Sequence, residues 1–227
     1  MERKIVTTKD QSATLFVPGL DETYHSIHGA LQESQHVFIE AGLQQFNYLS
    51  QVNLLEIGFG TGLNAWLSAL EAQKQDFKLH YTGLEKYPVQ PEEWSALNYT
   101  QALNLPQSAA DLFEALHESA WENEQAISPH FKLTKRQADF RTAPLTPNHY
   151  HLIYFDAFAP SAQAYLWTRE VFERMFACLQ EDGLLVTYCV KGEVRRNMQA
   201  AGFEVEKIPG PPGKREMARA RKPITKL

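Results

Sequence analysis

Apolar and polar positions along the chain fall into blocks that switch between a short and a helical period. Val52 to Leu55 is an apolar run leading into Glu56-Ile57-Gly58-Phe59-Gly60-Thr61-Gly62-Leu63-Asn64, which predicts a strand, a glycine turn and a helix from Leu63 to Ala72. Lys78 to Leu84 predicts a second strand ending at Glu85. Helical patterns follow over Glu92 to Gln101 and Ser108 to Glu122, and a third strand is expected over Phe131 to Thr134 and the neighbourhood of Asp139. His151 to Phe155 gives a fourth strand, and Trp167 to Leu179 a strongly amphipathic helix stopped by Glu181-Asp182-Gly183. Leu184 to Val190 is continuously apolar, as a strand buried on both faces requires. A helix over Gly192 to Ala201, a sixth strand over Phe203 to Ile208 and a seventh, antiparallel to it, over Arg215 to Arg221 complete the pattern. Such alternation predicts an α/β fold, a doubly wound, seven-stranded, mostly parallel sheet over residues 51–227. Residues 1–50 do not fit and read as an N-terminal extension on or near the site, with strand-like Ala13 to Val17 and helical Ser34 to Tyr48.

The glycine turn carries the first chemical signal. Glycines at alternate positions let the backbone approach a ligand closely, and the helix start presents unpaired N–H groups to the same spot. A dinucleotide fingerprint needs G-x-G-x-x-G, but position 63 is leucine, so the third glycine arrives one residue early. Glu56, two residues before Gly58, would repel a pyrophosphate yet can pair with the amino group of an amino-acid-bearing cofactor. S-adenosylmethionine satisfies both conditions, with Glu56, Gly58, Phe59, Gly60, Thr61, Gly62 and Asn64 around it.

In an open α/β sheet, ligands sit outside the carboxyl ends of the strands. There the sequence places Glu56, Glu85 with Lys86, Asp139 with Phe140, and Asp156 with Ala157-Phe158-Ala159-Pro160. Glu85 can accept both ribose hydroxyls, and Asp139 can accept from an adenine amino group bordered by Phe140, unless Arg141 or Arg136 takes it into a salt bridge. Asp156 is the candidate catalytic residue. An aliphatic ammonium with a pKa of about 10 is not a nucleophile until it loses a proton, so a carboxylate that orients and desolvates the amine assists in-line methyl transfer.

Composition narrows the class further. With 44% apolar residues and no long apolar stretch, the chain is expected to be a soluble, cytoplasmic globular protein. Cys178 and Cys189 lie in apolar segments without metal-ligand spacing, so core thiols and no metal are expected. The net charge is −5, but Lys191 to Leu227 holds ten Lys/Arg against four Glu, a net +6 that leaves −11 on the remainder. The basic end is either a footprint for a polyanion or a solvated fringe.

Together these motifs resemble the methyltransferase part of the MnmC family. The resemblance rests on Glu56 to Asn64, Glu85-Lys86-Tyr87-Pro88, Asp156 to Pro160 with Leu166-Trp167-Thr168, Val194-Arg195-Arg196 with Ala201-Gly202-Phe203, and Lys214-Arg215-Glu216-Met217. Asp21-Glu22-Thr23-Tyr24, Gly29 to Ser34 and Val37-Phe38 match its opening motif. The resemblance implies the class I S-adenosylmethionine-dependent methyltransferase fold. It implies N-methylation of a 5-aminomethyl group on a tRNA wobble uridine, giving 5-methylaminomethyl(-2-thio)uridine. Tyr24, Phe158, Lys214 and Arg215 would face the substrate, and the anticodon stem-loop would be the partner. With the chain ending at Leu227, the flavin-dependent oxidoreductase activity of bifunctional members would be absent or supplied by a separate enzyme. His25 and Pro211-Pro212-Gly213 depart from the family pattern in regions expected to face the substrate. A small-molecule amine methyl- or aminopropyltransferase and a non-catalytic tRNA-binding protein remain as alternatives on the same fold.

Overall fold

The computed structural model describes residues 1–225; Lys226 of the basic tail and the expected domain end at residue 227 lie outside them. The strands are β1 (Lys4–Thr7), β2 (Ala13–Val17), β3 (Glu22–Thr23), β4 (Gln51–Ile57), β5 (Lys78–Glu85), β6 (Glu124–Ser128), β7 (Phe131–Gln137), β8 (Tyr150–Phe155), β9 (Leu179–Thr187), β10 (Glu204–Pro209) and β11 (Glu216–Arg221). The helices are α1 (Ala30–Ser34), α2 (Leu63–Gln75), α3 (Pro91–Trp94), α4 (Tyr99–Ala102), α5 (Gln107–Glu118), α6 (Pro160–Gln163), α7 (Arg169–Cys178) and α8 (Gly192–Ala200).

β4 to β11 form one sheet in the order β10-β11-β9-β8-β4-β5-β7-β6. β4, β5, β7, β8 and β9 run parallel to their neighbours within that set, whereas β11 and β6 are antiparallel to the strands beside them. All seven expected strands are present in a doubly wound, mostly parallel sheet, and an eighth joins them. That strand, β6, pairs antiparallel with β7 at the sheet edge. Its sequence, Glu-Gln-Ala-Ile-Ser, is polar because an edge strand must discourage further pairing, and so it carried no hydrophobic signal.

Period-two alternation sends successive residues to opposite faces. Leu54, Leu152, Tyr154, Leu184 and Val186 join α2, α5 and the N-terminal region in one core, while Leu55, Ile57, Ile153, Phe155 and Leu185 pack with α7 and α8 in the other. Three boundaries differ from expectation. The helix expected over 108–122 ends at Glu118, because Trp121 bridges to Lys135 and Glu122 takes a left-handed conformation (φ 67°). The stretch 92–101 breaks into α3 and α4 around the buried Leu97. β9 starts directly after α7 and ends at Thr187, so Tyr188 is released from the sheet and turns into the cavity described below.

Residues 1–50 build a separate three-stranded antiparallel sheet, β1-β2-β3, then α1, a π-helical turn over Gln35–Glu40 and a 3-10 turn over Leu43–Phe46. Val37, Phe38, Ile39, Leu43 and Phe46 bury themselves in the core beside α2 and β9. The extension is therefore tied to the main sheet by apolar burial.

Lys222 closes the C-terminal end of α7. Its ammonium donates to the carbonyls of Leu179 (2.7 Å) and Phe176 (3.0 Å) and to Asn148 Oδ1 (2.8 Å), while the backbone N–H groups of Asn148 and His149 take the carbonyls of Ala177 and Cys178. Helix-end carbonyls lack intrahelical partners, so a buried cation is favourable there. Lys222→Ala is expected to cost about 2–3 kcal/mol, read as a lower urea midpoint with an unchanged slope.

Candidate active site

The topological switch point of the sheet lies between β4 and β8, and it is where the two loops that matter meet. The Asp156 N–H donates to the Ile57 carbonyl (3.0 Å), and the Gly58 and Phe59 N–H groups donate to the Leu84 carbonyl (both 3.0 Å). Gly58 (φ 88°) and Gly60 (φ 52°) occupy left-handed backbone conformations. A Cβ on Gly58 would collide with the Asp156 carbonyl oxygen, and one on Gly60 would press on the Tyr24 ring. Glycine is thus required by both φ and contact.

Above this point opens a cavity of about 700 Å³. Its walls include Gly58, Phe59, Gly60, Thr61, Asn64, Glu85, Lys86, Asp139, Phe140, Asp156, Phe158, Tyr24 and Lys214 from the expected set. The N-terminal extension supplies Val6, Phe16 and Asp21 to Ile27 as a further wall. Three expected residues stand elsewhere. Glu56 is fully buried beneath the cavity and reaches it only through Asn64. Gly62 (φ 72°) is the N-cap of α2, packed against His117. Arg215 is exposed and contributes no wall.

Asn64 is the joint of the site. Its Nδ2 donates to Glu56 Oε1 and to Asp156 Oδ2, both at 2.9 Å, so one amide group ties the ends of β4 and β8 together. Glu56 Oε2 and Asn64 Oδ1 remain buried with no hydrogen-bond partner among the described residues. Burial pushes the Glu56 carboxyl well above its ordinary range. Burial, with the Glu33 charge adding to it, raises the Asp156 carboxyl to about 7, against the Asn64 hydrogen bond and Lys214, which lower it.

Glu85 accepts from the Gly60 N–H (3.0 Å) and the Tyr87 N–H (2.8 Å), which fixes its carboxylate at the cavity wall with lone pairs to spare. Asp139 is less free. Its oxygens accept from the Arg141 N–H (3.0 Å), Nε (2.9 Å) and guanidinium NH2 (2.6 Å) and from Lys86 Nζ (3.2 Å), and these bonds, Arg141's first, hold its carboxyl far below the usual range. The salt-bridge alternative therefore describes Asp139, and Arg136 turns away to the Pro144 carbonyl (2.9 Å).

On the opposite side, Tyr24 packs edge-on against Phe158 (centroids 5.1 Å) and its hydroxyl accepts from Arg3 Nε (2.8 Å). Arg3 also pairs with Glu93 (2.9 Å), latching the extension to α3. His25 borders the cavity but is committed inward, with Nδ1 against Thr14 Oγ1 (2.9 Å) and Nε2 against Thr61 Oγ1 (3.4 Å), and burial lowers it to about 4. It supports the glycine turn rather than facing a substrate.

Sequence reasoning overlooked Arg3, Glu33 and Tyr188. Glu33 stands in the quoted Gly29 to Ser34 segment, and Tyr188 is a polar-tipped aromatic closing an apolar run, so both left a trace. Arg3 left none, because besides Tyr24 its partners, Glu93 and the Tyr87 and Pro88 carbonyls, are more than eighty residues away in the chain.

The family described as S-adenosyl-L-methionine-dependent methyltransferase matches residues 77–223. The chain belongs to this family. The methyltransferase is 33% identical over 229 residues to the tRNA 5-methylaminomethyl-2-thiouridine biosynthesis bifunctional protein MnmC of Cupriavidus metallidurans, covering 92% of this chain and 32% of that protein. It is 29% identical to the protein of the same name from Methylobacillus flagellatus, covering 86% of this chain and 32% of the relative. The chain thus spans about a third of the length of these relatives. The solved structure of MNMC2 from Aquifex aeolicus shares the fold, with a TM-score of 0.82 at 23% identity over 99% of this chain and 73% of that one. The cofactor is S-adenosylmethionine, and the site's chemistry accords with it: the Gly58–Gly60 cradle has no room for side chains, and the buried Asn64 Oδ1 at the cavity wall lacks a donor among the described residues. Among the described residues there is no cluster of three metal-ligating side chains and no helix long and apolar enough to cross a membrane.

A carboxyl raised in the folded state stabilises that state below its unfolded pKa, and the contribution is lost as pH rises through the folded value. For Asp156 that window runs from 3.8 to about 7. Asp156→Asn is expected to raise the Tm of ligand-free protein by about 2–4 °C at pH 8 and to change it little near pH 4, measured by scanning calorimetry.

Proposed function

We propose that the methyltransferase transfers a methyl group from S-adenosylmethionine to the 5-aminomethyl group of a tRNA wobble uridine, giving 5-methylaminomethyl(-2-thio)uridine. The observation that carries this reading is Asp156, a carboxylate raised to about 7, held by Asn64 in a cavity whose other wall is aromatic. The names of the relatives, which describe 5-methylaminomethyl-2-thiouridine biosynthesis on tRNA, supply the substrate.

Bound in the cradle, S-adenosylmethionine supplies an electrophilic methyl group on a cationic sulfur. The chain's own residues do the rest. Glu85, immobilised by two backbone N–H groups, offers its spare lone pairs to the ribose hydroxyls. Gly58 to Thr61 and Asn64 would hold the amino-acid end, with Glu56 buried behind Asn64 and orienting its amide. Asp156 would accept a hydrogen bond from the incoming ammonium and take its proton, a role suited to a base poised near neutrality. That leaves a neutral amine whose lone pair is free to form the new N–C bond as the C–S bond breaks and its electron pair stays on sulfur. Phe158, Tyr24 and Tyr188 exclude water from the amine.

Much of the basic tail is neutralised at home. Lys207 pairs with Glu216 (2.8 Å), Arg219 with Glu206 (2.6 Å), Arg221 with Asp182 (2.5 Å) and Lys214 with Glu33 (2.5 Å). Lys191, Arg196 and Arg215 are exposed and free of ion pairs among the described residues, and they are the cations available to anticodon stem-loop phosphates.

Purified protein incubated with labelled S-adenosylmethionine and tRNA from cells lacking the gene is expected to place label in 5-methylaminomethyluridine-type nucleosides. Asp156→Ala should lower the rate by about 10²–10⁴-fold. In the wild type, the rate should rise with pH through about 7, as Asp156 ionises. Cofactor binding with label only on small amines would replace the tRNA reading with a small-molecule one.

A further inference from the structure

Lys214 stands between two carboxylates and is bound to only one of them. Its Nζ pairs with Glu33 Oε2 at 2.5 Å and lies 4.1 Å from the centroid of the Tyr188 ring. Among the described residues, no ion pair within 4.0 Å joins it to Asp156, although both line the same cavity. Glu33 is itself held, because its Oε1 accepts from the Ser26 N–H at 2.9 Å and its side chain is 9% exposed. Tyr188 is fixed in turn by its hydroxyl, which donates to the Ala157 carbonyl at 2.8 Å, one residue beyond Asp156. Three segments distant in sequence, α1, the end of β9 and the loop before β11, thus converge on the neighbourhood of Asp156.

We propose that Glu33 is a positioning residue for methyl transfer, which by binding Lys214 against Tyr188 keeps that ammonium off Asp156 and leaves the Asp156 carboxylate open to the substrate's amine. The inference rests on the reading of Asp156 given above. Its physical basis is competition. A lysine on a flexible stem within a cavity pairs with whichever carboxylate is nearest, and an ion pair with Asp156 would neutralise the base and occupy the space the substrate ammonium needs. The face of Tyr188 gives the tethered ammonium a second favourable contact, so the arrangement is a preferred one. The cavity also keeps a net acidic character, with Glu33 and Asp156 set against Lys214, which favours a cationic amine over an anionic one.

The test is a double-variant cycle with Glu33→Gln and Lys214→Met, scored by methylation of tRNA bearing 5-aminomethyluridine, together with a crystal structure of Glu33→Gln. Glu33→Gln is expected to lower kcat/KM by about tenfold or more while leaving affinity for S-adenosylmethionine, measured by calorimetry, within about twofold, since Glu33 does not touch the cofactor cradle. In the Lys214→Met background, Glu33→Gln should cost little further activity, because no stray ammonium remains, whatever Lys214→Met costs by itself; Glu33→Asp should retain more activity than Glu33→Gln. In the crystal, Lys214 Nζ of Glu33→Gln should move to within ~4 Å of the Asp156 carboxylate. A loss from Glu33→Gln that is as large in the Lys214→Met background, or full activity in Glu33→Gln, would overturn the proposal. So would a Glu33→Gln structure in which Lys214 stays over Tyr188, and that readout holds whichever amine the enzyme takes. Absence of tRNA methylation by the wild type would instead refute the substrate assignment.

Discussion

One asparagine amide ties the functional end of this sheet together. The two hydrogens of Asn64 Nδ2 are shared between Glu56 at the end of β4 and Asp156 after β8, the two central strands on either side of the switch point. Two carboxylates brought so close in a poorly solvated place repel each other and lose hydration, and the bridge is what makes their proximity tolerable. The bridge fixes the start of α2 against both strand ends and holds Glu56 buried behind it; burial raises the Asp156 carboxyl, and the Asn64 hydrogen bond tempers that rise. The glycine cradle complements the bridge, since Gly58 lets the β4 loop pass over the Asp156 carbonyl.

A second dependence runs through the first fifty residues. They do not extend the main sheet, yet they supply one wall of the cavity and two of its polar anchors, the Arg3–Tyr24 pair and Glu33. Apolar burial of Val37, Phe38, Ile39, Leu43 and Phe46 against α2 and β9 holds this wall in register with the cradle. Cofactor side and amine side are therefore built by different parts of the chain, which allows the amine side to vary on a constant methyl-donor site.

Charge is managed locally throughout. Acid lines the cavity, suiting a cationic sulfur and an ammonium, while five of the ten basic residues of the C-terminal segment are taken up by Glu206, Glu216, Asp182, Glu33 and the C-terminal end of α7. Exposed pairs of this kind add little stability, but they reduce the positive potential that a polyanion would meet. The net charge of the tail alone thus overstates its attraction for nucleic acid.

The sequence by itself determined the alternating strand–helix order, the glycine turn and the set of acids at the strand ends, because period and backbone conformation are local properties that Leu54, Gly58 or Asp156 announce in place. It also carried, through Glu56 to Asn64 and Asp156 to Pro160, a family resemblance sufficient to name the cofactor. Only the tertiary structure decided which of those acids face the cavity and which are free there: Asp156, Glu85 and Asp139 line it, Asp139 already bound by Arg141 and Lys86, while Glu56 lies beneath Asn64. It decided as well that polar β6 pairs at the sheet edge and that Arg3, Glu33 and Tyr188 meet the site from far away in sequence. Those outcomes depend on burial and on long-range competition among hydrogen-bond partners, quantities that no window of neighbouring residues contains.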